Sequence, residues 1–145
     1  MTVHLLKMAV GIDSVAHLAR VQQGRLERAQ GEGGTGDLRH LTRNMPRRAN
    51  LVLDGGSMYW VIKGYVRVRQ RILGLERVAG REGRRRCAII LDPDLRRTQL
   101  VPHRPIQGWR YLEPDGAPVD FDELAPAGSA MPVEMAAELR TLGLL

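Results

Sequence analysis

The sequence predicts an α+β domain built on a mainly antiparallel sheet of about five to six strands, curled or closed into a small barrel. Three observations predict it. Short β-rich runs follow one another through the middle of the chain, helical periodicity appears near each end, and Gly- or Pro-containing turns separate the runs. A chain of 145 residues has room for one domain, taken as 1–145, with a core of its own.

Val3 to Val10 alternates loosely and reads as a first strand. Asp13 or Ser14 can cap the helix that follows, because a short side-chain oxygen satisfies backbone donors left free there. From Val15 to about Ala29 the residues Val15, Leu18, Ala19, Leu26 and Ala29 share one face, giving the N-terminal helix. GEGGTG ends it, and LRHLTRNMPRRAN reads as a polar loop. Pro46 suits the first turn of a short helix over Arg47 to Leu53. SMYWVIKG is the next strand, with Met58, Trp60 and Ile62 on one face.

In GYVRVRQRILGLERV, period-two alternation sends Val66, Val68 and Ile72 one way and Tyr65, Arg67, Arg69 and Arg71 the other. RRRCAIILD is a central strand by its apolar run, and Asp92-Pro93-Asp94 is turn chemistry. RTQLVPH and GWRYL complete the strands. A Pro- and acid-rich segment, 113–130, is expected to wrap the surface. A C-terminal helix is expected from Val133 to about Leu142, capped by Gly143.

Several function classes drop out on this reading. Cys87 is the only cysteine, so no internal disulfide and no cysteine-based zinc site can form. It opens an apolar run and reads as a structural cysteine, although Arg84–Arg86 could activate a thiol. His4, His17, His40 and His103 share no metal-ligand spacing. GEGGTG matches G-x-G-x-x-G, yet it follows a helix where a dinucleotide fingerprint follows a strand. No cofactor or metal is therefore expected. The apolar runs are too short for a membrane-spanning helix, and a cytoplasmic protein with no membrane partner is expected.

Charge is segregated along the chain. Residues 1–38 balance at four basic and four acidic, 39–110 carry sixteen Arg plus Lys63 against five acids, and 111–145 carry Arg140 against seven. Such segregation suits a polyanion partner, or an acidic tail folded over a basic face. Like charges on one strand face repel, so Arg67, Arg69 and Arg71 would favour a phosphate partner. Arg84, Arg85 and Arg86 would widen that patch, Lys63, Arg43, Arg47 and Arg48 would extend it, and Tyr65 or Trp109 would offer stacking.

The expected function is thus a non-catalytic nucleic-acid-binding module, with RNA favoured as partner. Two other readings stay open. In one, the arginines clamp a small anionic ligand, nucleotide-like or phosphorylated, with His40, Asp92 or Cys87 available for chemistry; a deep pocket would mark it. In the other, a protein-interaction domain has its acidic tail over the basic face.

TRNMPRRA (42–49), GGSMYWVIKG (55–64), RRCAIILDPDL (85–95) and RPIQGWRYL (104–112) resemble a bacterial family known as domain of unknown function 1489. The resemblance covers nearly the whole chain and implies a single cytoplasmic domain, with no activity or site residue to carry over. At fold level, a helix and basic loop feeding a run of short strands is similar to small RNA-binding barrels of the PUA and ASCH type.

Overall fold

The computed structural model describes residues 2–31, 36–80 and 85–121. In chain order they form β1 (His4–Met8), α1 (Val15–Gln30), β2 (Leu38–Thr42), α2 (Ala49–Leu53), β3 (Ser57–Ile62), β4 (Tyr65–Ala79), β5 (Arg85–Leu91), β6 (Arg96–Pro102) and β7 (Trp109–Leu112). A 3-10 turn at Pro114–Gly116 follows.

The seven strands make one open mixed sheet in the order β2-β5-β4-β3-β1-β7, with β6 also paired to β4. Among the described residues the order starts and ends on different strands, so these strands form no closed barrel. β1 and β3 are parallel, and the other pairings are antiparallel. Both described helices lie between strands. The expected helix over 133–142 lies outside the described residues. No described helix is long and apolar enough to cross a membrane.

Ser14 caps α1, its Oγ accepting the His17 N–H at 3.0 Å. The helix buries Val15, Leu18 and Gln22, whereas Ala19 is exposed. The β3–β4 hairpin turns through Lys63 and Gly64, at φ 51° and 81°. Two successive positive φ values match the twist of the flanking strands, and glycine adopts one without strain.

β2 occupies LRHLT, where the sequence predicts a loop; it pairs with β5 from Leu38↔Leu91 to Thr42↔Cys87. The ladder supplies hydrogen bonds that local composition does not announce.

β4 departs from strict alternation. Val61 faces Val66 and Trp60 faces Val68, leaving Arg67 as an extra residue in a bulge. The parity of the strand changes there. Val68 and Ile72 join the larger core cluster with Leu5, Met58, Trp60 and Ile89, under α1. Val66 joins a second cluster with Leu6, Tyr59 and Val61, on which Ile106 and Leu112 pack. The expected grouping of Val66 with Val68 and Ile72 is corrected accordingly.

The buried amides of Gln22 and Gln70 in the larger core are engaged with one another and with their neighbours. Gln70 Oε1 accepts the Trp60 indole N–H and the Gln22 amide, both at 2.8 Å. Its own amide donates to Gln22 Oε1 at 2.7 Å and to the Asp92 carbonyl at 3.1 Å. One side chain thereby ties α1, β3, β4 and the β5–β6 turn together.

Candidate functional site

The arginines of β4 do not form an exposed ladder. Arg67 is 1% exposed. Its Nε donates to the Ile62 carbonyl at 2.6 Å, and its guanidinium stands 5.3 Å from the Tyr65 ring centroid. The bulge turns this residue back onto its own hairpin. Arg69 makes a two-pronged ion pair with Asp120 at 2.6 and 2.8 Å and also donates to Ser57 Oγ. Arg71 is exposed.

Asp120 comes from the acid-rich segment expected to wrap the surface. The Gln99 N–H donates to Val119 O at 2.8 Å, and Thr98 pairs with Asp120, which lays this part of the segment along β6. The Arg69 hydrogen bond holds the Asp120 carboxyl below its ordinary range. A depressed carboxylate pKa adds stability that is present above about pH 4 and is lost as pH falls through the folded value. Asp120→Asn is therefore expected to cost about 1 kcal/mol at pH 7. The gap to the parent should close below about pH 4, read by urea denaturation across pH.

Lys63, at the hairpin turn, reaches Asp13 at 3.3 Å. Arg48 pairs with Glu113 at 2.7 Å and stands 5.1 Å over the Tyr111 ring. Arg85 and Arg86 are exposed at the start of β5, and Arg84 lies outside the described residues. Cys87 is buried, and desolvation pushes its thiol pKa up, in keeping with a structural role.

Four arginines without a hydrogen-bond or ion-pair partner among the described residues gather elsewhere. Trp109 and Tyr111, on β7, meet edge to face with centroids 4.9 Å apart. The Trp109 indole N–H donates to Asn44 O at 3.0 Å, and the Tyr111 hydroxyl accepts the Arg48 backbone N–H at 3.0 Å. Both rings are thus fixed in place. Two open depressions of about 340 and 560 Å³ meet at this pair. Arg43 and Arg110 line the first, Arg47 and Arg77 the second. All four are exposed.

The sequence singled out Arg43, Arg47 and Trp109; the structure brings them together and adds Arg77, Arg110 and Tyr111. Arg67, Arg69 and Tyr65 are held apart from this group. Arg77 escapes a sequence reading because it lies far along β4. It reaches the aromatic pair only because β4 continues past its partnership with β3.

The family described as "Protein of unknown function (DUF1489)" matches residues 5–145. The chain belongs to the DUF1489 family. The match begins within β1 and runs past β7, so nearly all of the described architecture, with the groove on β7, falls within the DUF1489 region. No curated protein and no solved structure gives a match. The DUF1489 assignment carries no activity.

Proposed function

We propose that this protein binds single-stranded nucleic acid, RNA before DNA, along the Trp109–Tyr111 groove. One observation carries the reading. Once the ion pairs are assigned, four exposed arginines without a described partner, Arg43, Arg47, Arg77 and Arg110, flank a fixed aromatic pair. Guanidinium groups grip phosphate oxygens in pairs, and bases stack on aromatic faces whatever their sequence. The basic surplus of residues 39–110 thereby acquires a surface suited to a polyanion.

Fluorescence anisotropy with labelled single-stranded RNA, single-stranded DNA and both duplexes tests this across a salt series. Single strands should bind most tightly, with affinity falling steeply as salt rises. Trp109→Ala should weaken binding by roughly 5- to 100-fold. Arg43→Ser with Arg47→Ser should reduce the logarithmic salt slope by about 0.7 per arginine. Equal affinity in Trp109→Ala and an unchanged slope in the double variant would overturn the proposal.

A further inference from the structure

A second cavity, of about 210 Å³, opens between α1, β1 and β2 and shares no lining residue with the Trp109 groove. Its chemistry is set by Lys7 of β1, Arg25 of α1, Arg39 and His40 of β2, and Trp60 of β3. Among the described residues, none that lines it is an aspartate or glutamate.

Lys7 sits at an inward position of β1, in the same alternation as the buried Leu5 and Ala9. Its ammonium group is half-buried, has no ion pair or hydrogen bond among the described residues, and desolvation lowers its pKa. Arg25 is exposed on α1 and likewise has no partner among the described residues. Arg39, by contrast, is answered by Glu76 at 2.8 Å and Asp37 at 3.4 Å.

His40 meets Trp60 edge to face, with centroids 5.1 Å apart at 87°. Its Nε2 and the Nε of Arg39 are the two buried side-chain nitrogens without a hydrogen-bond partner among the described residues. Both residues line this cavity. Buried nitrogens of this kind normally find a partner, and each one left unmet costs stability. Two unanswered cations around one cavity repel as well. A fold that keeps all of these in one place gains when an anion enters.

The geometry points to a binding site for a small oxyanion, specifically the phosphate of a short phosphate monoester. A dianion would neutralise Lys7 and Arg25 and accept the N–H of His40. The Trp60 wall gives the remaining carbons an apolar surface. Its ring is held by the hydrogen bond to Gln70, so the wall is formed before any ligand arrives. The volume decides the size class. About 210 Å³ is roughly seven water volumes, enough for a phosphate and a few carbons and too little for a whole nucleotide.

The site also responds to protons. Burial first, then Lys7 and Arg25, lower the His40 pKa to about 4, so the free protein holds it neutral at pH 7. The groups that line the cavity with it are Lys7 on β1, Arg25 on α1 and the already paired Arg39 on its own strand. A bound dianion reverses the two charge effects and raises that pKa, so binding takes up a proton as pH falls from about 8 toward 5.5.

Isothermal titration at constant ionic strength, in chloride salts, tests both statements. The probes are sulfate, inorganic phosphate, a three-carbon phosphate monoester and a nucleoside monophosphate. Sulfate carries the pH arm because it does not titrate in this range. The short monoester should bind most tightly. Tightest binding by inorganic phosphate, or by the nucleoside monophosphate, would overturn the monoester assignment.

Lys7→Met and Arg25→Gln should each weaken binding at least tenfold, while Trp109→Ala leaves it unchanged. Lys7→Met should fold with a melting temperature no lower than the parent, since it removes a half-buried cation that has no partner. Arg25→Gln, at an exposed helix position, carries the test by itself if Lys7→Met does not fold. Sulfate should bind more tightly at pH 5.5 than at pH 8 in the parent and equally at both in His40→Gln. No saturable binding, or affinity undiminished in the charge variants, would overturn the site. Loss of oxyanion binding in Trp109→Ala would overturn its separation from the groove.

Discussion

Gly56→Ala should destabilise the fold by about 3 kcal/mol, one of the largest effects open to a single added methyl group. A Cβ at Gly56 would collide with the carbonyl oxygens of Val52 and Val3. Neither can rotate away. The Gly56 N–H donates to Val52 O at 2.9 Å, its own carbonyl accepts the Ile72 N–H at 3.0 Å, and the Val3 N–H is bound to Leu51 O. Relief would require separating α2 from the start of β1 and from β4. Urea denaturation should show a lower midpoint at unchanged slope. Gly64→Ala is the control, because its Cβ meets nothing within 4 Å. Only the left-handed backbone is strained there, at about 1 kcal/mol. Equal midpoints for the two variants would show that the close approach at Gly56 is not what matters.

Gln70→Met should cost about 3–5 kcal/mol although it nearly preserves side-chain length and volume. It strands the Trp60 indole N–H, both polar atoms of the Gln22 amide and one bond to the Asp92 carbonyl. Each buried group left without its partner costs about 1–3 kcal/mol. The double variant Gln22→Met/Gln70→Met leaves fewer stranded groups and should lose less than the sum of the single changes. A simple sum would mean that the two amides act independently.

Much of the architecture was legible in the residues. Six strands announce themselves through β-branched runs and turn residues, and Ser14 marks the start of α1. The exceptions have physical causes. β2 is hidden because its inward residues are Leu38, His40 and Thr42, of which one alone is apolar. The spacing of these three was the available signal. The bulge at Arg67 is invisible because Val66 and Val68 are both apolar and each has a core to enter. Gln22 lies on the buried face of α1, but its polarity conceals it until Gln70 is seen opposite.

The candidate sites divide in the same way. Arg43, Arg47 and Trp109 stood out by residue type, while Arg77 and Arg110 needed the path of β4 and the placement of β7. Lys7 carried a sign in the sequence, a lone cation at an inward position of an apolar strand. Its neighbours Arg25 and His40 come from segments eighteen and thirty-three residues away, joined only by the topology.

The place of β1 in the sheet has a consequence for how the molecule is made. β1 lies between β3 and β7, with Leu5 opposite Met58 on one side and Tyr111 on the other. β1 therefore has no second neighbour until residues 109–112 are synthesised. At about 5–20 residues per second, that wait is on the order of 5–20 s. Pairings so distant in sequence close slowly, because the entropy of the intervening loop is lost before the contacts form. Nascent chains stalled before residue 109 should hold β1 with one edge unpaired, open to proteases and to strands of neighbouring chains.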